Sequence, residues 1–192
     1  KSKLAGTYSE KGLEDNYIGF VYYLKEDFPK AIFYNEQAIK LEPHHPVYYN
    51  DLGMAYYSSG NNHLAKEEFN KAKECYNLAL KALNKAIDLD KDYADAYVNR
   101  AFVKFKLHDY KGTLEDLRQS FNLDPLLLMD EVVQDLLEKL EPLLKKEIIT
   151  DARPIIENYA PSLKNSSSPV GQSISSSPIE DRLTEALQRF YS

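Results

Sequence analysis

Apolar side chains along residues 12–26 fall at Leu13, Tyr17, Ile18, Val21 and Tyr22, the spacing of a helix. The step Asp27-Phe28-Pro29 breaks the pattern. Asp27 suits the cap of a following helix and Pro29 its first turn. That second helix is predicted to run to about Leu41, with Ala31, Ile32, Ala38 and Ile39 on one side. Pro43 and Pro46 flank His44-His45 and stop it. A second pair is expected to begin at Val47, to turn at Gly60-Asn61-Asn62 and to restart near His63. A third pair spans about Tyr93 to Leu107, turns at His108-Asp109 and runs on to Asn122. Residues 126–149 carry Met129, Val132, Val133, Leu136, Leu137, Leu140, Leu143, Leu144 and Ile148 at helical period, with Pro142 marking a kink or a new helix start.

The pattern repeats every 34 residues. Gly19 is followed by Tyr22, Ala31, Ala38 and Pro43; Gly53 by Tyr56, Ala65 and Ala72; Ala101 by Lys104, Thr113, Ser120 and Pro125. A long period with small residues at fixed offsets marks a helical repeat array. Such arrays bury a core by stacking and leave one face free to bind. A mid-helix Gly costs about 1 kcal/mol relative to Ala, so Gly19 and Gly53 imply close approach of a paired helix. Ala31, Ala38, Ala65 and Ala72 are the small residues expected on the facing side.

The second copy is irregular. Gly53 to Ala101 is 48 residues, 14 more than the period requires. Ala65, Ala72, Ala79 and Ala86 recur every seven residues there, with Phe69, Tyr76 and Leu83 between them. Either one helix is long, from about His63 to Leu89 and roughly 40 Å at 1.5 Å per residue, or it breaks near Tyr76. An exposed stretch of that seam would dock a second copy of the chain, making a homodimer.

The segments 47–72 (VYYNDLGMAYYSSGNNHLAKEEFNKA) and 96–125 (AYVNRAFVKFKLHDYKGTLEDLRQSFNLDP) resemble the tetratricopeptide repeat (TPR) family. The resemblance covers roughly residues 12–125 and departs from the family at three places. Asp15 stands where Tyr49 and Tyr97 stand, Asn35 replaces the aromatic expected four after Ala31, and Lys104 stands where Tyr22 and Tyr56 stand. The resemblance implies an all-α, TPR-type helical-hairpin solenoid with an elongated helix in the second repeat and a C-terminal capping helix. Its expected plan is an N-terminal extension (1–11), three repeats over 12–125 (12–45, 46–93 with the 14-residue insertion, 94–125), capping helices (126–160), a Ser-rich disordered linker (161–178) and an amphipathic tail helix (179–192).

In that family the first helix of each pair lines the concave face. Carried over by position, the peptide-binding residues are Asn16, Tyr17, Phe20 and Tyr23, then Asn50, Asp51, Met54 and Tyr57, then Val98, Asn99, Phe102 and Phe105. Asn can hold a peptide backbone through paired donor and acceptor groups, and the aromatics and Met offer adaptable apolar contact. Co-chaperone members grip a C-terminal carboxylate with Lys, Arg and Asn at fixed first-helix positions. Here those positions hold Asn16, Phe20, Asp51, Asp95 and Asn99. The cations are absent, so a carboxylate would meet repulsion rather than charge-assisted bonds.

Composition narrows the function further. The chain of 192 residues has a net charge of −6, 15 Tyr and no Trp, so it lacks the basic footprint of a nucleic-acid or anionic-membrane binder. The single Cys75 excludes an intramolecular disulfide and fits a reducing compartment, and no apolar run approaches the ~20 residues of a membrane span; a cytoplasmic setting is the expectation. The chain opens on Lys1 rather than Met, as a fragment of a longer protein would. Eight of the eighteen residues from Pro161 to Pro178 are Ser, too little apolar surface to fold alone. Beyond them Ile179, Leu183, Leu187 and Phe190 share one helical face, which wants a groove. No phosphate loop, catalytic triad order or metal-binding pair occurs, so no cofactor, metal or catalysis is expected. The function this reading favours is a non-catalytic scaffold or adaptor that binds a helical or extended peptide in an apolar, Asn-bearing groove, which its own tail helix could also occupy. The alternatives are a secretion-type chaperone for apolar segments and an oligomerisation module built on the Ala65/Ala72/Ala79/Ala86 seam.

Overall fold

A computed structural model describes residues 9–147; the N-terminal extension before Ser9, the end of the expected capping segment, the Ser-rich linker and the tail helix (Ile179, Leu183, Leu187, Phe190) lie outside them. The chain divides after Leu123 into two compact units. The first is three helical hairpins: α1 (Glu10–Leu24) with α2 (Phe28–Leu41), α3 (Pro46–Ala65) with α4 (Phe69–Leu89), and α5 (Ala94–Lys106) with α6 (Tyr110–Leu123). Each helix packs on the next, and the first helices of neighbouring hairpins also touch. Among the described residues there is no strand.

The three hairpin turns are built alike. Glu26, Glu67 and His108 each take a left-handed conformation, with φ of 59°, 61° and 63°. The N–H of each donates to the carbonyl three residues back: Tyr23, Leu64 and Phe105. The following N–H, of Asp27, Glu68 and Asp109, donates to the carbonyl of Tyr22, His63 and Lys104 at 2.9–3.0 Å. This double closure satisfies carbonyls that the helix end would otherwise orphan. Asp27 and Asp109 then cap the next helix, accepting from Lys30 N and Gly112 N.

The turns also locate the irregularity. Glu26 and Glu67 are 41 positions apart, as are Glu67 and His108, each seven more than the period. The 14 extra residues are therefore shared, about two turns in α3 and about two in α4. The expected turn at Gly60-Asn61-Asn62 does not form. α3 runs through it for 20 residues, and the turn lies at Lys66–Glu68, followed by α4 of 21 residues. Neither the single long helix from His63 nor the break near Tyr76 occurs. The physical reason is close packing. A Cβ on Gly53 would sit 2.6 Å from Leu83 Cγ, and one on Gly60 would sit 2.6 Å from the Tyr76 ring. The added turns repeat the same glycine contact one heptad further out. Counted from the turns, Ala31, Ala72 and Thr113 are counterparts, as are Ala38, Ala79 and Ser120, and all six are buried. Ala65 is exposed at the tip of α3 and is no part of that set. Ala72 and Ala79 share a core cluster with Tyr76, Leu83 and Val103, while Ala86 packs with Ile87, Ala96 and Tyr97. Three of the four seam alanines are thus spent inside the unit, while Ala65 and the neighbouring Phe69 are exposed.

The departures from the repeat pattern each have a local partner. Asp15 is buried and ion-paired with Lys11 at 2.9 Å. Lys104 lies 2.9 Å from Asp116, whose carboxylate also accepts from Arg100 Nε at 2.8 Å and from its terminal nitrogen at 2.6 Å. Arg100 further lies over Tyr97. In the first hairpin, counted from the turn, the corresponding place is filled by the stacked rings of Tyr22 and Tyr34. The buried side of α1 is Gly12, Asp15 and Gly19. Leu13 and Tyr17, which mark the helix in the sequence, are exposed, because small residues are what permit close helix contact.

The second unit, as far as it is described, holds a 3-10 turn (Pro125–Met129) and α7 (Glu131–Glu147). Asp124 caps the first and Asp130 the second through their carboxylates. Val133, Leu136 and Leu140 are its buried stripe. Pro142 lies within α7 and starts no new helix.

Candidate functional site

The first helices α1, α3 and α5 form one face of the three-hairpin unit, and a polar ladder crosses it. Asn16 Nδ2 donates to Asn35 Oδ1 at 2.9 Å and to Asp51 Oδ2 at 2.8 Å. Asn50 Nδ2 donates to Asp51 Oδ1 at 3.3 Å, and Asn99 Nδ2 donates to Asn50 Oδ1 at 2.9 Å. Asn35 is fully buried on α2 and its own amide donates to Ala31 O. Five amide and carboxylate groups thus tie the first halves of α1, α3 and α5 together. Buried polar groups joined this way fix the register between elements.

Toward the C-terminal ends of the same helices the face becomes aromatic. Tyr57 lies 6.3 Å from Phe102 and 6.0 Å from Tyr76, ring centre to ring centre. Ser58 donates to the Tyr23 hydroxyl at 3.3 Å, and Tyr23 packs on Phe28. Phe105 packs on Tyr110. These separations are typical of paired rings. Phe20 (47% exposed) and Tyr17 (68% exposed) carry the apolar surface outward along α1, together with Leu13 and Leu24.

The residues assigned from the sequence divide three ways. Asn16, Tyr23, Asp51, Met54, Tyr57, Asn99, Phe102 and Phe105 are partly exposed. Tyr17 and Phe20 are open to solvent. Asn50 (6% exposed) and Val98 (7%) are buried and offer a ligand little surface; Asn50 serves the ladder instead. Four neighbours were not among the assigned binding residues: Asn35, Ser58, Tyr93 and Asp95. Asn35 had a signal, because a polar residue replaced an expected aromatic. Asp95 had one too, at a first-helix position of the family pattern, whereas Ser58 and Tyr93 had none, since their roles depend on contacts between hairpins.

The electrostatics of the ladder centre on Asp51. Burial pushes its carboxyl above the ordinary carboxylate range, while the Asn16 and Asn50 amides and the nearby His45 hold it down. Burial likewise raises the phenol of Tyr93 at the start of α5, and the charges of Asp51, Asp95 and Asp90 reinforce the shift. Asp51 and Asp95 therefore act on one locality. Among the described residues neither of them has a salt bridge to Lys, Arg or His. The described residues bring together no group of three His, Cys, Asp or Glu able to hold a metal, and none of their helices is long and apolar enough to cross a membrane.

Comparison with known proteins gives a consistent family. Family models described as "Tetratricopeptide repeat" and "TPR repeat" match residues 46–75 and 71–108. The protein named serine/threonine-protein phosphatase 5 of Homo sapiens is 30% identical over 104 residues, 54% of this chain; the chain spans 18% of that relative's length. Among solved structures, the first TPR of Spaghetti (RPAP3), bound to the HSP90 peptide SRMEEVD, has a TM-score of 0.60 at 20% identity, covering 73% of this chain and 99% of that one. The Arabidopsis OM64 TPR domain gives 0.58 at 22% identity, over 69% and 96%. The Sgt2 TPR domain of Aspergillus fumigatus gives 0.57 at 16% identity, over 88% and 93%.

Proposed function

We propose, from the premise that this chain is a tetratricopeptide-repeat protein, that it is a protein-interaction adaptor whose face of first helices takes up a helical or extended segment of another polypeptide. One observation carries the reading. The α1/α3/α5 face presents partly open apolar side chains, and a polar ladder of hydrogen bonds ties its three helices together. A surface of Phe20, Met54, Tyr57, Phe102 and Phe105 offers adaptable area to an apolar segment. The ladder holds the three helices so that this area is preformed, which lowers the ordering cost of binding. The resemblance to a TPR domain bound to a heat-shock peptide supports a peptide as the class of ligand. The oligomerisation reading has less support, because Ala72, Ala79 and Ala86 of the seam pack inside the unit.

The chain's own segment from Ile179 to Phe190 has a similar apolar helical pattern and is a natural competitor for the face, so binding is measured with the full chain and with the chain ending at residue 160. The test is the double substitution Phe20→Ala with Phe102→Ala. Removing two aromatic anchors is expected to weaken capture of a bound peptide at least tenfold, at about 1–2 kcal/mol for each anchor, with the helical circular-dichroism spectrum unchanged. Undiminished capture in both chain lengths would reject this face as the binding surface.

A further inference from the structure

We infer that the occupant of this face is a polypeptide segment bearing a Lys or Arg side chain, which seats against Asp51 while its apolar residues lie over Tyr57, Phe102 and Phe20. The inference rests on the proposed binding face and adds the chemistry of its ligand.

The argument is one of charge complementarity. Asp51 stands midway along the ladder, partly exposed, with Asn16 Nδ2 at 2.8 Å and Asn50 Nδ2 at 3.3 Å on its two oxygens. Both partners are neutral amides. Two amide donors orient a carboxylate without neutralising it, and a carboxylate with open lone pairs at low local dielectric gains most from a cation. Its desolvated state has the same meaning: burial opposes its charge, and His45 is the nearby group that helps offset this.

Four basic residues on or beside the first helices have acidic partners of their own. Arg100 and Lys104 are both spent on Asp116, and Lys11 and Lys30 pair with Asp15 and Asp27. Asp95 adds to the negative field, but it lies in the first turn of α5, where the helix dipole already favours an acid; Asp51 therefore carries the argument. An acidic tail such as SRMEEVD would bring several negative charges to this place, so the preference of this face is opposite in sign.

The ladder also sets the direction of the ligand. Its acidic part lies toward the N-terminal ends of α1, α3 and α5, and the aromatic part lies toward their C-terminal ends. A segment with one basic residue at one end and two or three apolar residues beyond it matches both parts. The basic side chain also contributes length, since its aliphatic stem can lie along the Met54 side of the face.

The experiment is a selection of random 16-residue peptides displayed on phage against the full chain, followed by anisotropy titration of one selected synthetic peptide. The selected peptides are expected to share a Lys or Arg at a constant distance from their apolar residues. Changing that residue to Gln should weaken binding to the wild-type chain about tenfold, the difference between a charge-assisted and a neutral contact. The same change should cost nothing on the Asp51→Asn chain, and the tenfold preference should shrink in 1 M NaCl. Asp95→Asn, at an exposed position, serves as the second variant if Asp51→Asn lowers the melting temperature; it should reduce the preference in part. Selected peptides without a basic position, or tighter binding of SRMEEVD than of the selected peptide, would overturn the inference. If binding then still collapses in the Phe20→Ala, Phe102→Ala chain, the binding face survives and only the cationic anchor is wrong. If it does not, the face itself is wrong.

Discussion

Glu67 turns the tip of the longest hairpin with φ of 61°, a conformation that costs an L-residue roughly 1–2 kcal/mol. Its side chain is exposed. Glycine removes that penalty but adds about 0.5–1 kcal/mol of unfolded-state entropy. Glu67→Gly is therefore expected to stabilise the chain by about 0.5–1 kcal/mol, read as a higher urea midpoint with an unchanged slope. A lower midpoint would mean that Glu67 makes a contact worth more than the strain. No glycine marks any of the three turns, so the turn residues were not legible in the sequence at the second hairpin, where the only glycine nearby is Gly60. The departures were legible as departures and opaque as to cause. Lys104 stood out as a charge at an aromatic position, but Asp116 becomes its partner only once α5 and α6 are paired. Asn35 stood out in the same way, and its partner Asn16 lies 19 residues away.

The second hairpin shows why element boundaries depend on packing. Gly60-Asn61-Asn62 has the local chemistry of a turn. In the fold Gly60 faces the Tyr76 ring, and Asn61 Oδ1 accepts from the Tyr76 hydroxyl at 2.8 Å. The seven-residue recurrence was visible as Phe69, Tyr76 and Leu83, but its partner set, Gly53 and Gly60 on the facing helix, was divided by the assumed turn. The correct boundary follows from pairing Gly53 with Leu83 and Gly60 with Tyr76, a contact across two helices that no local signal reports. This makes a sharp distinction. Alanine gains about 1 kcal/mol over glycine in a helix, yet a Cβ at 2.6 Å from an aromatic ring must displace it, and overpacking of this kind costs about 1–3 kcal/mol. Gly60→Ala is expected to destabilise the chain by a net of up to about 2 kcal/mol, seen as a lower melting temperature. A higher value would contradict the close approach of α3 and α4. Lys71 first, and then His63, engage Glu68 beside the turn and hold its carboxyl down to about 2, so Glu68 keeps its charge through the mildly acidic range.

At the scale of the molecule the repeat period and the all-α class were readable, because both follow from small residues at fixed offsets. Of the twelve residues assigned to the face through the family resemblance, ten are at least partly exposed, and Asn50 and Val98 are buried. The ladder was not readable. It joins side chains from α1, α2, α3 and α5, and the sequence places Asn99 far from Asn50. This ladder ties three hairpins along one face, and it leaves a partly exposed carboxylate, Asp51, midway along it. The most direct measurement is an amide-shift titration of the isotope-labelled chain with the basic, apolar peptide obtained from the selection. Shifts should concentrate at Phe20, Asp51, Met54, Tyr57, Asn99 and Phe102, with α2, α4 and α6 nearly still. Shifts confined to those second helices, or spread evenly over the chain, would contradict the account.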